Sequence, residues 1–252
     1  IMGYKRGSIT TPIIANGLVL NIDAFNANCL LPYRQDDDYS SIDTIYNTVD
    51  NGNGQRSTTG SIKDNSTNGG WQGPTTSSFY FDNGDYIELN KNTTDFISSD
   101  SSFTLCAYVK LTNPDFFCNV FINDPTETNK LEFKVDNDNQ FVYLMLNSTN
   151  IGSSWGSYDW NPGGNNLNTW FYFSWVFSYT STTKSIQCYV DAYPGSSNST
   201  TNSYTLPTSD IRIGYTPSIN RKKYISNLQF YNRALTQSEI SHNYNALKGR
   251  FE

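Results

Sequence analysis

Short runs in which an apolar residue returns at every second position dominate this chain, and they restrict it to β-structure. In residues 102–110, Phe103, Leu105, Ala107 and Val109 fall on one face. That spacing is the two-residue repeat of a strand and not the 3.6-residue repeat of a helix. Residues 130–135 and 140–146 predict a hairpin around Asp136-Asn137-Asp138-Asn139, and residues 78–82 and 86–89 flank the turn Asp82-Asn83-Gly84-Asp85. Residues 170–179 predict a long aromatic strand, core on at least one face, that pairs with residues 185–192 across 180–184. Strands are also expected from residue 18 and over 116–122. Many short strands joined by turn chemistry point to an antiparallel sandwich. One helix is expected, over residues 236–247, where Thr236 and Glu239 have the spacing of a capping box.

Composition fits that reading. At 252 residues the chain has a length that a single all-β domain can fill, and 18 Tyr, 15 Phe and 5 Trp supply a large core. Asn, Ser and Thr dominate the rest and favour turns over helix interiors. The formal net charge of −6 argues against nucleic acid, whose phosphates need clustered Lys and Arg. The one basic cluster, Arg221-Lys222-Lys223, is too short to change this. No run of eighteen apolar residues is present, so no helix is expected to span a membrane. Residues 1–15 read as an N-terminal arm or linker and residues 16–252 as the sandwich domain. Residues 30–75 are polar and broken, a surface excursion with one strand or helical turn near residues 42–49. Cys106 and Cys188 lie in apolar runs and are expected to be buried thiols. The sequons at Asn65, Asn92, Asn147 and Asn198 say nothing about secretion in a chain so rich in Asn, Ser and Thr.

Several phrases resemble the laminin G-like, concanavalin A-like lectin/glucanase superfamily, in the family's order. Gly17-Leu18-Val19-Leu20-Asn21-Ile22-Asp23-Ala24 is similar to its opening "GLVLxLDA". Residues 79–87 are similar to its "LxFDGxDYV" hairpin, residues 103–109 to "FTISAWVK", and Thr169-Trp170-Phe171 to "TWYHVA". The closing Tyr231-Asn232-Arg233-Ala234-Leu235-Thr236, with Glu239-Ile240 after it, resembles "IYNRALS-x-x-EI", and its continuation to Phe251 resembles copies common in virion proteins of tailed bacteriophages. The resemblance implies a concanavalin A-like jelly-roll sandwich of two antiparallel sheets. It leaves the ligand open, because fold does not imply function.

Glycosidases of this superfamily set their acids on one strand as E-x-D-x-x-E, since alternation aims all three into the groove. Retaining hydrolysis needs two carboxyls about 5 Å apart. Glutamate is scarce here (Glu88, Glu127, Glu132, Glu239 and Glu252), and none has those partners, so the chain is expected not to be an enzyme. Glu132 and Lys134 alternate on one strand and read as a surface pair. His242, the sole histidine, lies in the closing helix and reads as a solvated polar residue. The chain lacks a His/Cys zinc set, a P-loop and a strand-linked GxGxxG. No cofactor is required. Relatives often hold Ca²⁺ on loop oxygens, and Asp82, Asn83 and Asp85 form a partial set for a structural Ca²⁺, with Asp23 or Asp210 as further contributors. The alternative is a plain hairpin turn.

The segment Trp155-Gly156-Ser157-Tyr158-Asp159-Trp160-Asn161-Pro162-Gly163-Gly164 departs from the family pattern. Trp155, Tyr158, Trp160 and Asn161 there could bind a glycan by ring stacking and hydroxyl contacts, anchor a protein partner, or fold inward as a plug. Together these features make the chain an expected non-catalytic module on a virion surface, as a decoration, fibre or tail protein. Its expected partners are a glycan or host-surface carbohydrate and neighbouring virion proteins, with no nucleic acid and no membrane; a homo-oligomer fits the same role. The alternative is an extracellular carbohydrate-binding adhesion module.

Overall fold

The computed structural model describes residues 12–26, 29–30, 44–49, 59–63, 70–72, 77–82, 84–112, 117–123, 130–136, 141–146, 149–154, 167–216 and 222–251. They build the expected sandwich of two antiparallel sheets. The first sheet runs β14 (Tyr193–Thr200), β13 (Thr183–Val190), β12 (Trp170–Thr180), β7 (Phe103–Leu111), β16 (Lys223–Tyr231), β5 (Phe79–Phe81) and β4 (Gly70–Trp71). The second runs β11 (Thr149–Ser154), β10 (Phe141–Leu146), β9 (Leu131–Asp136), β8 (Phe117–Asn123), β15 (Asp210–Ile213), β6 (Tyr86–Asn92), β3 (Thr59–Lys63) and β2 (Thr44–Tyr46).

The long strand β16 organises the first sheet. One edge pairs with β7 throughout. The other edge is shared: Lys223 to Ile225 pair with β5, and Asn227 to Tyr231 pair with β1 (Leu18–Asp23). The β7–β16 register shifts between Ile225 and Asn227, where that changeover occurs. A bulge of this kind bends and twists a strand locally.

Alternation then fills the space between the sheets. Phe103 and Phe177 stack at 4.5 Å, Phe121 and Phe230 at 5.5 Å, and Phe133 meets Trp175 edge-on at 5.7 Å. These rings are buried, and each contributes about 1.5–3 kcal/mol of burial. The four cysteines are buried, and burial pushes the Cys106 thiol up to about 11.

A second, smaller core lies on the outer face of the first sheet, where helix α1 (Gln237–Leu247) covers Tyr108, Tyr172, Val176 and Tyr231 with Ile240 and Leu247. The helix starts where its cap requires. Thr236 Oγ1 accepts from Glu239 N–H, and Glu239 accepts from Thr236 N–H. Arg233 clamps the same carboxylate through two donors at 2.7 and 3.0 Å. That contact holds Glu239 down at about 2.

The inner end of the expected arm is part of this core. Ile14 N–H donates to Asn243 Oδ1 at 2.8 Å, Tyr231 O–H donates to Ile14 carbonyl oxygen at 3.1 Å, and Arg233 Nε donates to Asn16 carbonyl oxygen at 2.9 Å. Ile13 and Ile14 pack against the cluster beneath α1. Residues 1–11 lie outside the described residues.

At Gly214 (φ +81°), a Cβ would lie 2.5 Å from the Phe81 ring. Gly214→Ala therefore meets both a left-handed backbone and a packed aromatic. A loss of about 2 kcal/mol in urea unfolding is expected.

Candidate functional site

Sequence reasoning placed a candidate cation site at the turn between β5 and β6. There Asp85 N–H donates to Asp82 carbonyl oxygen at 2.8 Å, and Asp82 N–H donates to Asp85 Oδ2 at 3.0 Å. Asp85 is buried, and Lys222 Nζ stands 3.4 Å from Asp82 Oδ2. The two aspartates thus close the turn and balance a lysine. Asn83 lies outside the described residues. Asp23, the suggested contributor from β1, gives both carboxylate oxygens to Arg250 Nη1 at 3.0 Å. Among the described residues no cluster of three or more His, Cys, Asp or Glu side chains is present. Trp155, Tyr158, Trp160 and Asn161 also lie outside the described residues.

The described glutamates are held by cations. Glu88 Oε1 is 3.3 Å from Arg212 Nε, Glu132 Oε2 is 2.5 Å from Lys134 Nζ, and Glu239 is clamped by Arg233. Glu132 is more deeply buried than the surface pair expected of it. His242 Nε2 lies 2.8 Å from the Pro12 carbonyl oxygen, a contact that ties the chain's opening to α1.

What the structure brings together is an aromatic row that sequence reasoning did not single out. Tyr80 on β5 sits opposite Tyr224 on β16, Tyr224 opposite Lys110 on β7, and Lys110 opposite Trp170 on β12. Residues directly opposite one another share a face of the sheet. Their neighbours Phe79, Ile225 and Val109 are buried in the sandwich core, so the row points outward. The ring centroids of Tyr80 and Tyr224 are 4.8 Å apart. Lys110 Nζ stands 4.3 Å from the Tyr224 ring centre and 5.2 Å from that of Trp170. Phe251 extends the row beyond Trp170 at 5.0 Å.

All five side chains are half-buried, and four strands at the usual spacing make the row about 15 Å long. Among the described residues no carboxylate pairs with Lys110, and partial burial lowers its pKa. Burial and the hydrogen-bonded Asp82 carboxylate raise the Tyr80 hydroxyl to about 12. The array offers flat faces, a cation and a phenol along one half-buried strip.

The outer face of the second sheet carries a comparable cluster that is internally matched. Arg212 lies 4.7 Å from the Tyr86 ring centre and 5.4 Å from that of Tyr215, with Glu88 as its counter-charge.

Residues 81–241 match the family described as the concanavalin A-like lectin/glucanases superfamily, of the laminin G type. The chain belongs to that superfamily. No curated protein sequence matches it. Among solved structures it is similar to the botulinum neurotoxin serotype D binding domain, at 12% identity and TM-score 0.60, over 92% of this chain and 52% of that one. It is similar too to the receptor binding domain of the botulinum neurotoxin C/D mosaic, at 12% identity and TM-score 0.61, over 92% and 51%. Trypanosoma rangeli sialidase aligns at 18% identity and TM-score 0.54, over 90% and 32%. The chain thus spans about half the length of the toxin chains it matches, and at these identities the likeness is one of fold.

Proposed function

We propose that this chain is a non-catalytic carbohydrate-binding module. The observation that carries the reading is the outward row Tyr80–Tyr224–Lys110–Trp170: sugar C–H faces stack on aromatic rings while polar groups between them fix hydroxyls. The lectins for which the superfamily is named support a carbohydrate partner. The engagement of Glu88, Glu132 and Glu239 by Arg212, Lys134 and Arg233 supports binding without turnover, since hydrolysis needs a pair of opposed acids.

Its setting is the surface of a virus particle, a reading supported by the closing segment's likeness to tailed-phage virion proteins. Neighbouring virion subunits are then further partners. Quantitative mass spectrometry of purified particles checks this, and absence of the chain from them would move it to the extracellular alternative.

The binding test is a glycan array followed by titration calorimetry on the best ligand. Trp170→Ala and Tyr224→Ala should each weaken binding roughly tenfold, the scale of one lost stacking contact, and Trp170→Ala should also lower the thermal midpoint, because that ring packs against the core beneath α1. Trp155→Ala and Trp160→Ala test the aromatic segment in the same assay. Wild-type binding that survives all four substitutions would remove both candidates as the site, and release of reducing ends from a polysaccharide would overturn the non-catalytic reading.

A further inference from the structure

We propose that the row on the first sheet takes an anionic sugar, a ring stacked on Trp170 or Tyr224 presenting its carboxylate or sulfate to the Lys110 ammonium. This rests on the carbohydrate reading above and narrows its ligand class. The asymmetry between the two outer faces carries it. On the second sheet the cation among aromatics, Arg212, already has Glu88. On the first sheet Lys110 has, among the described residues, the ring faces of Tyr224 and Trp170 and no carboxylate.

A cation over aromatic rings at an exposed site is favourable but weaker than a charge-assisted ion pair. Partial burial has already removed part of the ammonium's hydration. An arriving anion therefore completes an ion pair without displacing a carboxylate of the protein, in a place where its hydrating water is already thinned. Lys184 also lies near two rings, Tyr179 and Tyr204, but it is buried and out of reach of a ligand.

The charges near the row fix which end the anion uses. Asp82 interacts with the Tyr80 hydroxyl and repels an anion there, although Lys222 offsets part of its charge. The favoured position is between Tyr224 and Trp170, directly over Lys110. The chain's net charge of −6 opposes anions in general, but at physiological salt exposed charges beyond about 8 Å are largely screened, so the local cation decides.

The experiment compares wild type and Lys110→Met on an array carrying neutral, carboxylated (uronate and sialylated) and sulfated glycans. Methionine keeps the apolar stem against the rings and removes only the charge, and the thermal midpoint verifies the fold. Wild type should favour acidic over neutral glycans by roughly tenfold or more, the weight of one charge-assisted contact. The preference should collapse in Lys110→Met and shrink in about 0.5 M salt. Carboxylated hits without sulfated ones, or the reverse, identify the anionic group. A preference for neutral glycans, or an acidic preference that survives Lys110→Met, overturns the inference and leaves carbohydrate binding standing. If no glycan binds, the carbohydrate reading itself fails and the inference falls with it.

Discussion

Arg250→Ala is expected to destabilise the folded chain by about 3–5 kcal/mol, the scale for breaking a buried ion pair from one side. Arg250 lies in the last helical turn before Phe251, and its Nη1 reaches both oxygens of Asp23 at the end of β1. The two side chains are only 8% and 6% exposed, so water cannot replace the lost partner. Among the described residues the aspartate would be left buried with one backbone donor, Phe25 N–H. The guanidinium also lies 5.0 Å from the Phe25 ring centre, and Phe25 meets Phe251 edge-on at 5.7 Å. Losing Arg250 therefore loosens the whole closing turn, including the Phe251 stack on Tyr108 at 4.0 Å. Asp23→Leu with Arg250→Met, which removes both charges together, should recover most of the loss. Urea unfolding of the three variants measures this. A loss below about 1 kcal/mol for Arg250→Ala would show the pair to be hydrated and of surface character.

This pair also explains why the site was less legible than the fold. Inward-facing residues on β7 and β9 repeat every two positions because burial demands it, and β9–β10 sits at the predicted hairpin. The helix likewise begins at its capping box. Edge strands escaped notice. β14, of sequence Tyr-Pro-Gly-Ser-Ser-Asn-Ser-Thr, is mostly exposed on both faces, so backbone pairing to β13 holds it and no apolar repeat marks it. β2 lies within the strand or helical turn expected near residues 42–49, whereas β3 and β4 are too short to display a repeat. β2 and β4 lie at the edges of the two sheets and β3 pairs between β2 and β6, so the described residues of the excursion expected over 30–75 supply three strands where one strand or helical turn was expected.

The aromatic row was hidden differently. β12 opens with Trp170, Phe171, Tyr172 and Phe173, so both faces are aromatic, and alternation cannot tell which ring is core. Asp23, in turn, is a carboxylate within a family-like phrase. Only the fold brings Arg250 to it, across 227 residues of sequence.

Asp191→Asn is expected to raise stability at neutral pH by about 3 kcal/mol while changing little near pH 4. Asp191 opens the tight turn between β13 and β14, with φ at +50°. Its Oδ1 accepts from Tyr172 N–H at 2.8 Å. That bond favours the carboxylate, but burial outweighs it and lifts the group from an ordinary 3.8 to about 6. A folded-state value above the unfolded one means that the folded chain binds the proton more tightly. Stability then falls as pH rises from about 4 to about 6, and the full penalty remains at pH 7. Two units at about 1.4 kcal/mol each set the magnitude. Asparagine keeps the carbonyl acceptor for Tyr172, tolerates positive φ, and carries no charge to desolvate. Chemical unfolding of wild type and variant across pH 4–8 should show the two stabilities converging below pH 4 and separating through pH 6. An equal gain at every pH would instead assign the effect to the turn's backbone preference.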